Sequence, residues 1–198
     1  MTQPDVSAAS AAPASWWRRQ RLWLLGAVLL GAWALYAPYR DAWQGSARMH
    51  PMQARDVPAA QSVAYEGARW RLLNVTERDL PNQRDDAMVL VARFEVVADA
   101  GTTAKQLNRC KSRISDAHGR VWNADAFNQL GVKHTLPQNC GSGMGADFKT
   151  SEAQPGSPWL FEQVYQVPRG VDAKTLRPEI FMPWPEHEPV GRYLRFSP

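Results

Sequence analysis

Between Leu22 and Ala37 the chain reads LWLLGAVLLGAWALYA, sixteen residues with no charge and one tyrosine as the only polar side chain. Water disfavours such a run on a surface, so its placement constrains the rest of the chain. As a helix it spans roughly 24 Å at about 1.5 Å per residue, short of the roughly 30 Å hydrocarbon core of a bilayer. Aromatic residues at its ends make up the difference. Trp16 and Trp17 precede the run, Tyr36, Tyr39 and Trp43 close it, and five of the nine tryptophans fall between residues 16 and 43. Indole and phenol rings prefer the headgroup level, where an apolar body and a polar tip are both satisfied. The pattern predicts a transmembrane helix with an aromatic belt at each end.

Orientation follows from RRQR, in which Arg18, Arg19 and Arg21 stand immediately before the run. Past it, Arg40 is offset by Asp41, so the positive-inside rule places the N-terminus in the cytoplasm and the remainder outside the inner membrane. Three other readings compete. Cleavage after Ala34, at the small residues Ala32 and Ala34, would release a secreted domain, although the segment before the run is long for a signal peptide and Pro38 blocks the next site. A twin-arginine signal wants a hydrophobic residue where Arg21 stands. A buried core helix does not account for the tryptophans and arginines at its ends.

The formal charge of +4 arises mostly at this end: six basic residues against three acidic precede residue 63, leaving 17 against 16 in the rest. A nucleic-acid-binding domain carries a basic face or stripe, and a nearly neutral domain gives no reason to expect one. Residues 1–17 are largely small and polar and read as a disordered cytoplasmic tail. Residues 18–39 are the signal-anchor helix with its basic flank. Residues 40–62, with Pro51 and Pro58, read as a linker.

From residue 63 to 198 the apolar period changes to two. In Met88 to Val97, Leu90, Ala92, Phe94 and Val96 share one face, with Arg93 and Glu95 on the other. In Trp159 to Val167, Trp159, Phe161, Tyr165 and Val167 oppose Glu162 and Gln166. Such alternation marks half-buried strands. Shorter strands are expected at Trp70 to Val75, Lys111 to Ser115, Arg120 to Asn123, Leu176 to Met182 and Arg192 to Phe196, separated by turn sequences such as DAHG, QPGS and PRG. Only Ala124 to Leu130 leaves room for a short helix. The fold class that follows is mainly β, an antiparallel β-sandwich behind one N-terminal helix.

Four segments carry a resemblance: the early strand WRLLNV, the long strand VLVARFEVV, the hairpin RISDAHGRVW, and QPGSPWLFEQVYQVP. Together they resemble the telokin-like, immunoglobulin-like domains of small bacterial lipoproteins and membrane-anchored envelope proteins. In that family a Pro-Gly turn precedes a strand ending in Val-Pro, the places held here by Pro155, Gly156, Val167 and Pro168. The likeness covers roughly residues 63 to 183. It implies an immunoglobulin-like sandwich acting as an extracytoplasmic interaction module, its partner another envelope protein, with no catalytic signature. The chain departs from the family where many members carry a lipidated cysteine, since no Cys follows the apolar run.

The cysteines are Cys110 and Cys140, and an even count outside the cytoplasm favours a disulfide. Zinc held with His118 and His134 lacks the local ligand pairs of known zinc sites, and a nucleophilic Cys140 with His134 as base lacks a recognisable signature. Gly141, Ser142, Gly143, Met144 and Gly145 form GSGMG, but no Lys and Ser or Thr follow as a phosphate loop requires. This run reads as a mobile surface loop and, within the stretch from Asn123 to Lys149, as the leading partner-binding candidate. Met49, His50 and Met52 offer soft ligands for copper on a tether. Trp184 and His187 stand in the proline-rich MPWPEHEP, Trp184 either packing on the sandwich or displayed to a partner. The carboxylates, Asp85 and Asp86 among them, show no acid and base pair. The expectation is a membrane-anchored, non-catalytic binding or assembly module without cofactor or metal. An envelope copper or zinc protein and a small hydrolase with a loop-built site are the alternatives.

Overall fold

The computed structural model describes residues 14–50, 53–80, 84–125, 128–144 and 149–198, apart from the side chains of residues 14–19, 22, 37 and 47–49. The chain divides into two compact units, Met1–Gly45 and Ser46–Pro198.

Most of the first unit's described residues belong to α1, the 36-residue helix Ala14–Met49. Pro38 sits inside it and has no N–H to offer the preceding turn. Its described large apolar side chains are exposed: Trp23 is 80% exposed, Leu30 71%, Trp33 72% and Leu35 75%. Among the described residues no helix is long and apolar enough to cross a membrane, and Leu22 and Ala37 of the apolar run are outside the described side chains.

The second unit is a β-sandwich. One sheet contains β2 (Ser62–Tyr65), β3 (Ala68–Arg78), β4 (Ala87–Ala98) and β9 (Pro158–Pro168), all antiparallel and in the order β2-β3-β4-β9. The other contains β1 (Gln53–Val57), β5 (Lys111–Ser115), β6 (Val121–Asn123), β10 (Arg177–Phe181) and β11 (Arg192–Phe196), in the order β1-β11-β10-β5-β6. A hairpin of β7 (Ser142–Met144) and β8 (Thr150–Glu152) completes the strands. The chain changes sheet after β1, after β4 by way of α2 (Ala104–Leu107), after β6 and after β9.

Inward residues of both sheets make one core. Phe94 stacks on Phe161 with centroids 5.2 Å apart and meets Phe196 edge-on at 5.6 Å, while Trp70 meets Phe161 edge-on at 6.2 Å. The buried polar tips are satisfied. Trp70 Nε1 donates to the Tyr65 carbonyl at 2.8 Å, and the Tyr65 hydroxyl donates to Arg192 O at 3.0 Å while accepting from Met182 N at 3.1 Å. Burial pushes the pKa of the Tyr65 phenol up, so it stays a neutral donor.

Two expectations change. Within the stretch expected as a linker, α1 runs on to Met49 and Gln53–Val57 pairs in parallel with β11. Four of the five β1 residues are exposed and only Val57 reaches the core, so no alternation announces the strand. β2 also starts before residue 63, and its two-residue turn to β3 has Glu66 at φ 49° and Gly67 at φ 69°. Positive φ is costly for glutamate. Its carboxylate repays this by accepting the backbone N–H groups of Glu186 and Glu188 at 2.7 and 2.6 Å, which ties the hairpin to the loop after β10.

Phe94→Ala is expected to lower stability by about 3–5 kcal/mol, the usual cost of emptying an aromatic core site. Urea denaturation of the variant against the parent chain measures it.

Candidate functional site

β4 from Ala87 to Ala92, and β9 at Phe161–Glu162 and Val164–Tyr165, are buried on both faces. Val89, Val91 and Val164 point away from the core yet are at most 2% exposed, packed beneath Val132, Leu80 and Leu130. Glu162, an outward carboxylate on β9, is 0% exposed. Both observations have one cause. After β6 the chain crosses between the sheet edges, Asp125 N donating to Val164 O at 2.8 Å, and then lies over the neighbouring sheet as a strap. The Asp125 carboxylate accepts from Gln129 N and Leu130 N at 3.0 and 2.9 Å, which shapes the turn where a short helix was the alternative.

Glu162 fastens the strap. It accepts from Thr135 N at 2.8 Å and from the Thr135 hydroxyl at 3.2 Å, meets His134 Nδ1 at 3.2 Å, and pairs with Arg93 at 3.5 Å. Its own amide donates to Pro137 O at 2.9 Å, and Arg78 donates to Lys133 O at 3.0 Å. Burial alone would raise the Glu162 pKa. The Thr135 N–H and hydroxyl, the Leu136 N–H and the charge of Arg78 outweigh it and hold the carboxyl below its ordinary 4.5.

Beyond the clasp, Trp159 Nε1 donates to Asn139 O at 3.1 Å, and the Gln163 carboxamide donates to Gln138 O. Cys140 then forms the expected disulfide with Cys110, Cα atoms 6.3 Å apart. Asn108, just past α2, accepts from Gly141 N and Ser142 N at 2.9 and 3.0 Å. The run expected as a mobile loop thus begins with Gly141 and Ser142 hydrogen-bonded to Asn108, and Ser142–Met144 pairs with Thr150–Glu152. Gly141 is buried, and a Cβ there would run into Ala104 O; one on Gly143 would run into Pro137. Met144, 62% exposed, reaches solvent, and Gly145 lies outside the described residues.

The strap and the first residues of β5 enclose a cleft of about 620 Å³. Ser112, hydrogen-bonded to the buried Tyr165 hydroxyl, lies on its sandwich side, while Lys111, Asn123, Asn139 and Cys110 line it nearer solvent. A groove of about 480 Å³ adjoins it across Ala124 and Asp125, with Trp122 in its wall. Arg113, also in the lining, is committed: its Nε pairs with Glu179 at 2.5 Å, and its guanidinium lies 5.4 Å from the Phe181 ring centroid and 4.9 Å from that of Tyr193. Ser115 donates to the second Glu179 oxygen at 2.6 Å.

The remaining candidates are dispersed. Arg21, Tyr36, Tyr39 and Trp43 are exposed on α1; Trp16, Trp17, Arg18 and Arg19 fall within the helix, their side chains outside the described ones. His50 lies at the rim of the cleft, the Met49 side chain is not described, and Met52 lies outside the described residues. His134 is engaged with Glu162, and among the described residues no three His, Cys, Asp or Glu side chains gather as metal ligands. Trp184 is 55% exposed, and Glu186 beside it accepts from Arg109 at 2.7 Å.

No family model matches the chain, and no curated protein matches it. Among solved structures it is similar to an uncharacterised β-sandwich protein from Clostridium difficile 630 (7% identity, TM-score 0.42), covering 74% of this chain and 96% of that one. It is also similar to the yjhA protein from Bacillus subtilis (7% identity, TM-score 0.44, 73% and 99% covered). A third is the secreted protein MPT63 from Mycobacterium tuberculosis (11% identity, TM-score 0.42, 73% and 98% covered).

Two outcomes test this construction. A folded-state pKa below the unfolded one means the Glu162 contribution is complete above pH 4.5 and is lost as pH falls through the lower folded value. Hydrogen exchange at the Thr135 amide should follow that course, and Glu162→Gln should abolish the dependence while speeding exchange at neutral pH. Replacing Cys110 and Cys140 together by serine opens a 30-residue separation and should cost about 3–4 kcal/mol by the chain-entropy estimate, read by urea denaturation.

Proposed function

We propose that the chain is a single-pass anchored protein of the cell envelope whose extracytoplasmic, immunoglobulin-like sandwich binds a ligand in the cleft between β5 and the strap. The observation that carries the binding role is the bracing of this cleft. A disulfide, a buried carboxylate and the Asn108 clasp all fix the loop that walls it, although the lining itself is polar and partly open to water. Rigid placement of exposed polar groups lowers the ordering cost of binding, and such groups on a loop held by a scaffold are where binding sites concentrate.

Support for the anchor comes from α1, whose described leucines and tryptophans are exposed, and from RRQR at its start. An uncovered apolar helix needs an apolar environment, and the arginines orient it with the domain outside. The disulfide agrees with an oxidising compartment. The immunoglobulin-like reading rests on two sheets with sheet-crossing connections, the Asp116–Gly119 hairpin, and the Pro155–Gly156 turn leading into β9.

In sealed spheroplasts, added protease should degrade a C-terminal epitope tag and spare an N-terminal one. Protection of the C-terminal tag, with the chain recovered in the soluble fraction, overturns the topology.

A further inference from the structure

The lining of the cleft has an unusual chemical bias. Asn108, Asn123, Gln138, Asn139 and Gln163 bring five carboxamides to one concavity, and the adjoining groove adds Gln129 and Gln166. Asn108, Gln138 and Gln163 are spent on the frame, Asn108 holding Gly141 and Ser142, Gln138 meeting His134 and Gln163 donating to Gln138 O. Asn123 and Asn139 are exposed and make no side-chain hydrogen bond among the described residues.

The fixed charges nearly cancel. Arg113 is matched by Glu179, and the lining also holds one further cation, Lys111, and one carboxylate, Asp125. An anionic ligand would meet no net positive field, and an acyl chain would leave the carboxamides unpaired, at a cost for each. A carboxamide offers a donor and an acceptor on one rigid plane. That pairing complements adjacent hydroxyls, which are donors and acceptors at once. Trp122, half-buried in the adjoining groove with the Arg120 guanidinium 5.6 Å from its ring centroid on one face, leaves its other face as an aromatic surface for the C–H face of a sugar ring. The volume lies within the roughly 300–1,000 Å³ typical of small-ligand sites.

We infer that the cleft binds a neutral, polyhydroxylated ligand, a short oligosaccharide, held by the Asn123 and Asn139 carboxamides. The inference rests on the cleft being the binding site of the proposed module.

The test uses the full chain in micelles of a detergent without a sugar headgroup, titrated separately with tri-N-acetylchitotriose, maltotriose and inorganic phosphate and followed by amide NMR. At least one trisaccharide should shift Asn123, Asn139, Gln163 and Cys110, with Kd between about 1 μM and 1 mM. Asn123→Ala and Asn139→Ala, both at exposed positions, should each weaken that binding about 3- to 10-fold. Trp184→Ala, at the far proline-rich loop, should leave it unchanged. Absence of shifts with both sugars to about 10 mM, sugar shifts insensitive to both asparagine variants, or equal shifts with phosphate would each overturn the inference. Crosslinking in intact cells from a photoreactive residue at 123 separates the two failures. Capture of an envelope component with no sugar binding sinks the ligand class alone, whereas no capture together with a protected C-terminal tag sinks the module itself.

Discussion

A carboxylate buried under a loop is costly unless its lone pairs are filled, and the strap of this domain is arranged around filling those of Glu162. Its oxygens meet Thr135, His134 and Arg93, and its backbone amide holds Pro137. Once those bonds are made, the strap lies where Leu130 and Val132 cover Val89, Val91 and Val164. The outer face of the four-stranded sheet thus becomes a second, smaller core. The same placement brings Gln138 and Asn139 opposite Lys111 and Ser112, so the cleft is a by-product of the clasp.

The facing sheet has a parallel device. Glu179 on β10 is 1% exposed and filled by Arg113 and Ser115 across β5. The Arg113 guanidinium lies beside two aromatic rings, where its weak hydration makes burial tolerable. Each sheet therefore carries one buried glutamate on its outer face. Removing either partner would strand a charge, which is worse than never having built the pair.

Much of this architecture was legible in the sequence. Lys111–Ser115 and Arg192–Phe196 form with the expected bounds, and the two long strands extend theirs by a residue at each end. Their alternation reports a real inner face. It fails where both faces are buried: Val89 and Val91 break the period because the strap covers them, and Glu162 reads as solvent-facing because nothing local says a loop will return over it. β1 is missed because it contributes one core residue, and its pairing with a strand 139 positions away at Asp56–Arg195 is a tertiary fact. α2 is different. Thr103 and Gln106 form a reciprocal capping box whose spacing stands in the sequence, and four residues are too few for an apolar stripe to draw notice. The cysteine pair was readable from its even count and the expected compartment. The cleft was not, because its carboxamides come from segments up to 55 residues apart.

The two fastenings of the strap act on different states of the chain. The disulfide restricts the unfolded ensemble and leaves the native strap free to lift between its fixed ends at Asp125 and Cys140. The Glu162 clasp acts only in the native state, dividing that span into shorter loops whose closure cost depends weakly on length. Loss of the disulfide therefore weakens the whole domain, while loss of the clasp opens the strap locally above an intact core. The clasp, with the bonds that Arg78, Trp159 and Gln163 make to the strap, then decides whether the wall of the cleft stands while the sandwich beneath it is folded.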